Sequence, residues 1–325
     1  MPQVYLLAGS YAYDTVFMHP QAFSARIKRD ALDKLNASFN LDSVIEAYGG
    51  CAGNIAKNAS LLGDAPMLVG NVGHDGGRYL SRLQSWGLDT TTVGIDETQP
   101  TAHAWILTDV DGNQLTSFHA GAMKAPVRLP SSVPALWHIA PEDPVNMVKL
   151  ALAARAAGAE YFFDPGQALP SLLNKEASHI APISIVLREA KGIFVNEYEA
   201  ELLRAEVGDL RLLLTAQDQF IIRTRGAAGV DVIRREDSFS LPPAVPERVV
   251  DPTGCGDAFR AGFLHLYVQG HGLEACVAMG AVMGALVVAS EGGQNHFISR
   301  KDIYARLDGY RASVFGATDT IAALG

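Results

Sequence analysis

Short apolar runs alternate with helix-like segments that stop at glycines, and this rhythm restricts the fold more than any other feature of the chain. Val4-Tyr5-Leu6-Leu7-Ala8 reads as a strand buried on both faces. Met67–Val69, Leu136–Ala140, Tyr161–Asp164, Gly192–Val195 and Phe220–Thr224 read the same way. Between them, Asn54–Leu62 and Gly76–Trp86 have helical spacing and end at Gly63 and Gly87; Pro144–Ala157 and Glu197–Glu206 are further helices. Apolar runs alternating with helices imply βαβ units, hence an α/β fold with a mainly parallel central sheet. Ligands of such sheets bind beyond the carboxyl ends of the strands.

Two regions break the rhythm. Thr101–Leu107 and Gln114–His119 are β-rich runs joined by Asp109-Val110-Asp111-Gly112-Asn113, a strong hairpin signal. The stretch from Ala12 to about Ala47 also lacks a clean βα pattern. Both are read as a small β-rich lid, formed by about 12–47 and 98–123, over one domain spanning 1–325. A chain of 325 residues could hold two domains, but it has no linker, repeat or low-complexity tract.

Charge and cysteine content exclude several classes. Lys and Arg number 26 against 35 Asp and Glu, a net charge of −9, which disfavours a nucleic-acid surface. The densest basic run, Arg26-Ile27-Lys28-Arg29, suits a solvated face. Hydrophobic residues at 48% and charged residues at 19% exclude a disordered chain. Met1–Ala25 has no Lys or Arg and so no basic leader region. Uncharged Ala275–Ser290 falls short of the ~18–20 residues a membrane span needs. Its Gly280 and Gly284 suit a buried helix that another backbone or a ligand approaches closely. Cys51, Cys255 and Cys276 show no C-x-x-C spacing, so neither a disulfide scaffold nor a zinc ribbon is expected. A cytoplasmic protein with no membrane partner follows as the expectation.

The chemistry concentrates in Val249-Val250-Asp251-Pro252-Thr253-Gly254-Cys255-Gly256-Asp257-Ala258-Phe259. An extended run ends at Asp251-Pro252, two glycines follow, and Phe259, Phe263 and Leu266 then recur at helical spacing. A glycine-rich turn feeding a helix presents unpaired N–H groups and the positive end of the dipole to an anion. Asp257 in the first turn would repel a phosphate unless a base is needed there. Taken locally, it also fits a carboxylate that merely complements the helix dipole. No G-x-x-x-x-G-K-[ST], H-E-x-x-H or G-x-S-x-G occurs, and Gly9-Ser10-Tyr11 does not make a dinucleotide fingerprint.

Asp251–Asp257 resembles the D-T-x-G-x-G-D signature of the ribokinase-like (PfkB) carbohydrate and nucleoside kinases, with Pro252 shifting the threonine by one place. Gly49-Gly50-Cys51-Ala52-Gly53-Asn54 is similar to that family's G-G-x-x-x-N motif, Asn196-Glu197-Tyr198-Glu199 to its N-x-x-E motif, and Thr224-Arg225-Gly226-Ala227-Ala228-Gly229 to its T-x-G-x-x-G segment. The four occur in the family's order across almost the whole chain. The resemblance implies a three-layer α/β/α fold with a β-rich lid, and ATP and Mg²⁺ as co-substrate and metal. It makes Asp257 the general base and the amides of Gly254, Cys255 and Gly256 the anion hole. Asn196 and Glu199 would organise Mg²⁺, although as residues they also read as a helix N-cap and capping box. Thr224, Gly226 and Gly229 would face the ATP phosphates, or form a plain strand-turn-strand. Arg225 could join them or lie on the surface. Asp164, ending a strand, could reach the metal shell or simply cap a turn. Monovalent-cation activation is a trait of some members.

On the acceptor side the resemblance assigns Asp14, Gly50 and Asn54 to the sugar. Tyr11, Tyr13, Phe17, His103, Trp105, Phe118 and His119 give the lid flat side chains that could stack on a nucleobase, or pack the lid itself. As a set they look most like bacterial adenosine or nucleoside kinases, and Cys51 replaces the lysine of many ribokinases. The expected activity is phosphorylation of a nucleoside 5′-hydroxyl, adenosine first. The alternatives are a sugar kinase and a non-catalytic nucleoside- or sugar-binding regulator. An apolar outward face on the lid would support a homodimer.

Overall fold

Strands that alternate apolar residues toward both faces must be covered twice, and the main sheet is built from such strands. The structure, a computed structural model, describes residues 5–25, 27, 37–174 and 182–316. Its strands are β1 (Leu6–Ala8), β2 (Ala12–Met18), β3 (Ser43–Gly49), β4 (Met67–Gly73), β5 (Val93–Asp96), β6 (Ala102–Thr108), β7 (Gln114–His119), β8 (Leu136–Ile139), β9 (Glu160–Phe163), β10 (Gly192–Asn196), β11 (Phe220–Thr224), β12 (Val230–Arg234) and β13 (Ser238–Leu241). Its α-helices are α1 (Cys51–Leu62), α2 (Gly77–Ser85), α3 (Pro144–Ala156), α4 (Leu169–Leu173), α5 (Ile183–Glu189), α6 (Glu197–Val207), α7 (Cys255–Tyr267), α8 (Leu273–Val287) and α9 (Arg300–Phe315).

In the described residues a nine-stranded sheet runs in the order β13-β12-β11-β10-β9-β8-β1-β4-β5. Its pairs are parallel from β11 through β5, while β12 and β13 are antiparallel additions at one edge. The period of two is visible within single strands. Leu7 packs with Phe162, Phe194 and helices α1, α7 and α8 on one face; Leu6 and Ala8 pack with Ile139, Phe163, Ile193 and helices α3 and α6 on the other. Helices on both faces make the three-layer α/β/α architecture expected from sequence.

The second sheet has the order β3-β2-β6-β7, with β2 and β6 parallel and the outer pairs antiparallel. The β6–β7 turn is closed from within: Asp109 Oδ1 accepts the Asn113 amide at 2.8 Å and the Asp111 amide at 3.0 Å. Val44, Ile45, Leu115 and Phe118 stay exposed on this sheet. Tyr11, in the link from β1 to β2, and Tyr13, on β2 of this sheet, are both buried against Tyr79, and Tyr13 also meets Tyr48 and His103, so these two pack the small sheet itself, the alternative to a stacking surface.

Helix α1 begins at Cys51, three residues before its apolar periodicity does, and the backbone explains why. Gly50 takes φ +85°, and a Cβ there would come within 2.6 Å of the Ser10 carbonyl. The Ser10 hydroxyl then caps the helix, accepting the Cys51 amide at 3.1 Å. Val4, Arg26, Lys28, Arg29 and positions 30–36 of the sequence-predicted lid lie outside the described residues. No described helix is long and apolar enough to cross a membrane. Cys51, Cys255 and Cys276 are free.

Candidate active site

Helix α7 starts where its sequence requires. Gly254, its N-cap, adopts φ +79°, and a Cβ there would lie 2.7 Å from the Cα of Gly293. Asp251 holds this turn from both sides, accepting the Thr253 amide at 2.9 Å and the Gly292 amide at 2.8 Å. Asp257 sits in the first turn, half-buried, beside the unpaired amides of a helix start. Of the sequence-predicted anion donors, the Cys255 amide is turned to the Pro252 carbonyl at 3.2 Å. In this arrangement it is no free donor.

Asp257 meets α1 across the site. Asn54 Nδ2 donates to Asp257 Oδ2 at 2.8 Å. Burial pushes the Asp257 carboxyl up to about 6, against the opposing pull of Asn54 and Arg260. On the acceptor side Asp14 lies on β2, paired with Ala47 of β3 and Ala104 of β6. Burial raises it to about 6 as well. Its carboxylate covers Gly49 so closely that a Cβ there would lie 2.1 Å from Oδ2. Asp14 thus lies against the Gly49-Gly50 turn before α1, and Asp257 against Asn54 in the first turn of α1.

A second group lies behind Asp257. Arg260, one turn on, donates to Asp164 at 2.7 and 3.3 Å and to the Gly256 carbonyl at 3.1 Å. Both partners of this ion pair are buried. Glu199 is buried nearby; desolvation, then the Asp164 charge, raises its carboxyl. Asn196 caps α6 with a full capping box: its N and Nδ2 donate to Glu199 at 2.8 Å, and its Oδ1 accepts the Glu199 amide at 2.9 Å. Thr224 is in register with Asn196 on the neighbouring strand. Gly226 faces open space, while Gly229 lets the chain pass Leu241, whose carbonyl oxygen would lie 2.2 Å from a Cβ. Arg225 is turned back to Asp231 at 3.1 Å. Among the described residues no three His, Cys, Asp or Glu side chains gather as a metal cage.

Sequence reading missed three groups. Arg260 looked like a helix residue because nothing local marks its partner 96 positions away. Gln294, in a glycine-rich loop with no motif, bonds Asn54. Glu142 is buried, and burial pushes it up to about 8 against the weaker pull of the Asp143 amide and Asn146. It follows β8 on the ligand side of the sheet, and only that placement could have singled it out.

A doubly covered sheet with a glycine-opened helix start at its rim, a base-like carboxylate in the first turn and a small sheet alongside defines a phosphotransferase of the ribokinase-like class. The pattern of the pfkB family carbohydrate kinases matches residues 12–300, and the chain belongs to that family. It is 33% identical over 285 residues to a nucleoside kinase of Methanocaldococcus jannaschii, covering 85% of this chain and 90% of that one. A nucleoside kinase of Burkholderia thailandensis in complex with inosine superposes with a TM-score of 0.80 at 32% identity, covering 94% of this chain and 98% of the other. The same enzyme in its ADP-inosine complex gives 0.76 at 32% identity, covering 99% and 100%.

Proposed function

We propose that this kinase transfers the γ-phosphoryl group of ATP to the 5′-hydroxyl of a nucleoside, with adenosine as the first substrate. The observation that carries the reading is the Asn54–Asp257 contact, which joins the acceptor-side motif to the helix start that would hold phosphate. The inosine and ADP-inosine complexes of the Burkholderia enzyme support a purine nucleoside opposite a nucleotide.

In this reading Asp14, Gly50 and Asn54 hold the ribose. Asp257 accepts the 5′-hydroxyl proton as its oxygen attacks phosphorus, and the free first-turn amides near Gly254 and Gly256 stabilise the transferring group. Thr224, Gly226 and Gly229 border the ATP phosphates. The small sheet acts as a lid, and its closure excludes water that would otherwise take the phosphoryl group. Mg²⁺, when bound with ATP, supplies charge neutralisation on the phosphates. The donor set fits an ion held mainly by phosphate and water: both Glu199 oxygens already accept from Asn196, which leaves their outer lone pairs to bound water. The outward apolar residues of the small sheet support a homodimer through it.

The test is ADP release with ATP and Mg²⁺ for adenosine, inosine, guanosine, cytidine, ribose and fructose 6-phosphate. A purine nucleoside is expected to give the highest kcat/KM. Preference for a sugar would transfer the reading to a sugar kinase, and no turnover with any alcohol would favour a binding regulator. The pH profile has a defined sign. Asp14 and Asp257 must be ionised to hold the ribose and to take the proton, and both are raised to about 6. Hence kcat/KM is expected to fall as pH drops through about 6, more steeply than one proton allows.

A further inference from the structure

The donor and acceptor pattern around Asn54 is fixed from outside the site. Arg82, on α2, can only donate. Its Nε reaches Gln294 Oε1 at 3.2 Å, and its Nη2 reaches the Gln294 carbonyl at 3.1 Å. The guanidinium is itself held over the rings of Tyr48, at 4.3 Å, and Trp86, at 5.2 Å. With its oxygen committed to Arg82, the Gln294 amide turns its nitrogen inward. That Nε2 donates to Tyr79 Oη at 2.8 Å and to Asn54 Oδ1 at 3.0 Å. The Tyr79 hydroxyl can accept because it spends its own proton on the Gly49 carbonyl at 2.5 Å. Asn54 Oδ1 is thereby occupied, so only Nδ2 is left to face Asp257. Gly293 lets the loop press onto this amide, since a Cβ there would lie 2.9 Å from Asn54 Cγ.

We propose that Gln294, held by Arg82, is a positioning residue that locks the flip of the Asn54 amide so that its N–H, and never its oxygen, faces Asp257. The proposal rests on the reading of Asp257 as the base, and it gives the otherwise motif-free loop at Gln294 a role in the reaction. Reversing the amide would set two lone-pair-bearing oxygens against each other and make Asp257 retain its proton. Other groups bearing on Asp257 are Cys51 on α1, Cys255 and Arg260 on α7, and Asp164 at the end of β9. None of them is altered in the variants below.

The experiment titrates Asp257 directly. The full chain, labelled at aspartate carboxyl carbons, is followed by NMR against pH without ligands, with the Asp257 signal assigned from its loss in Asp257→Asn. Three variants are compared with wild type: Gln294→Met, which releases the amide; Gln294→Glu, which can only accept and so forces the reversed flip; and Arg82→Met, which leaves the buried network intact but lets Gln294 turn. Gln294→Met is expected to move the Asp257 midpoint upward by about one pH unit, the loss of a charge-assisted hydrogen bond. Gln294→Glu should move it further, and Arg82→Met should move it less but in the same direction. In nucleoside turnover the acid limb of kcat should shift by the same amounts, with KM for ATP unchanged. An unshifted Asp257 midpoint in folded Arg82→Met and in either Gln294 variant would overturn the proposal. Should the Gln294 variants fail to fold, Arg82→Met decides alone. If wild type turns over no nucleoside, the kinase reading fails, and the carboxyl titration still judges the lock.

Discussion

Replacing Asp257 with asparagine is expected to lower kcat by about 10²–10⁴-fold, the usual contribution of a positioned general base. Asparagine keeps the size and shape of the side chain and can still meet the Asn54 amide across the 2.8 Å contact. It loses the ability to take a proton. The structure therefore separates chemistry from binding: KM for nucleoside and ATP should change little, because Asp14, Gly50 and the turn at Gly254 are untouched. Steady-state kinetics at a pH above the raised carboxyl value of about 6 gives the cleanest comparison, since wild-type Asp257 is then ionised. Near-normal turnover in the variant would leave the carboxylate as a helix-dipole partner and nothing more.

Replacing Asp164 with alanine is expected to cost about 3–5 kcal/mol of stability, because it strands a buried guanidinium without its counter-charge. The pair is closed to solvent, with side chains 7% and 3% exposed. His138, 3.9 Å from Asp164, adds no second positive charge to the pair. Burial, reinforced by Arg260, lowers His138 to about 3, so it stays neutral near physiological pH. Denaturant unfolding should show the loss as a lower midpoint. A double variant with Asp164→Leu and Arg260→Met, which removes both charges, should be more stable than Asp164→Ala. If Asp164→Ala were as stable as wild type, the guanidinium would have to reach water, and Arg260 could not be the rigid strut under Gly256 that it is here.

Much of this was legible in the sequence, for reasons that differ by residue. The strand at Phe220–Thr224 ends where expected because it is apolar on both faces and meets a glycine turn. The hairpin from Ala102 to His119 was marked by its Asp-Gly turn. Asp257, Asn54 and Asp14 were singled out by the family resemblance, and for the first two the positive-φ glycines at 254 and 50 mark the turns beside them. Arg260, Gln294 and Glu142 were not. Arg260 and Gln294 act through partners brought near only by the fold, Glu142 is marked only by its burial, and the chain around each carries no trace of that. The aromatics went the other way. Tyr11 and Tyr13 have the composition of a stacking surface, yet Tyr79 of α2 closes over both and buries them, and that burial depends on the packing of α2 rather than on residue type. At Asn196 and Glu199 the capping-box reading is met in full, and Glu199 also lies beside the charged group around Arg260.

The central claim is that one carboxylate reaches the acceptor hydroxyl over a helix start that holds phosphate. A crystal structure with adenosine and a non-hydrolysable ATP analogue tests it most directly. The account predicts an Asp257 oxygen within about 2.6–3.2 Å of the nucleoside 5′-oxygen, with the terminal phosphate against the first turn of α7. A 5′-oxygen bound away from Asp257, with the analogue's phosphates clear of Gly254–Gly256, would contradict it.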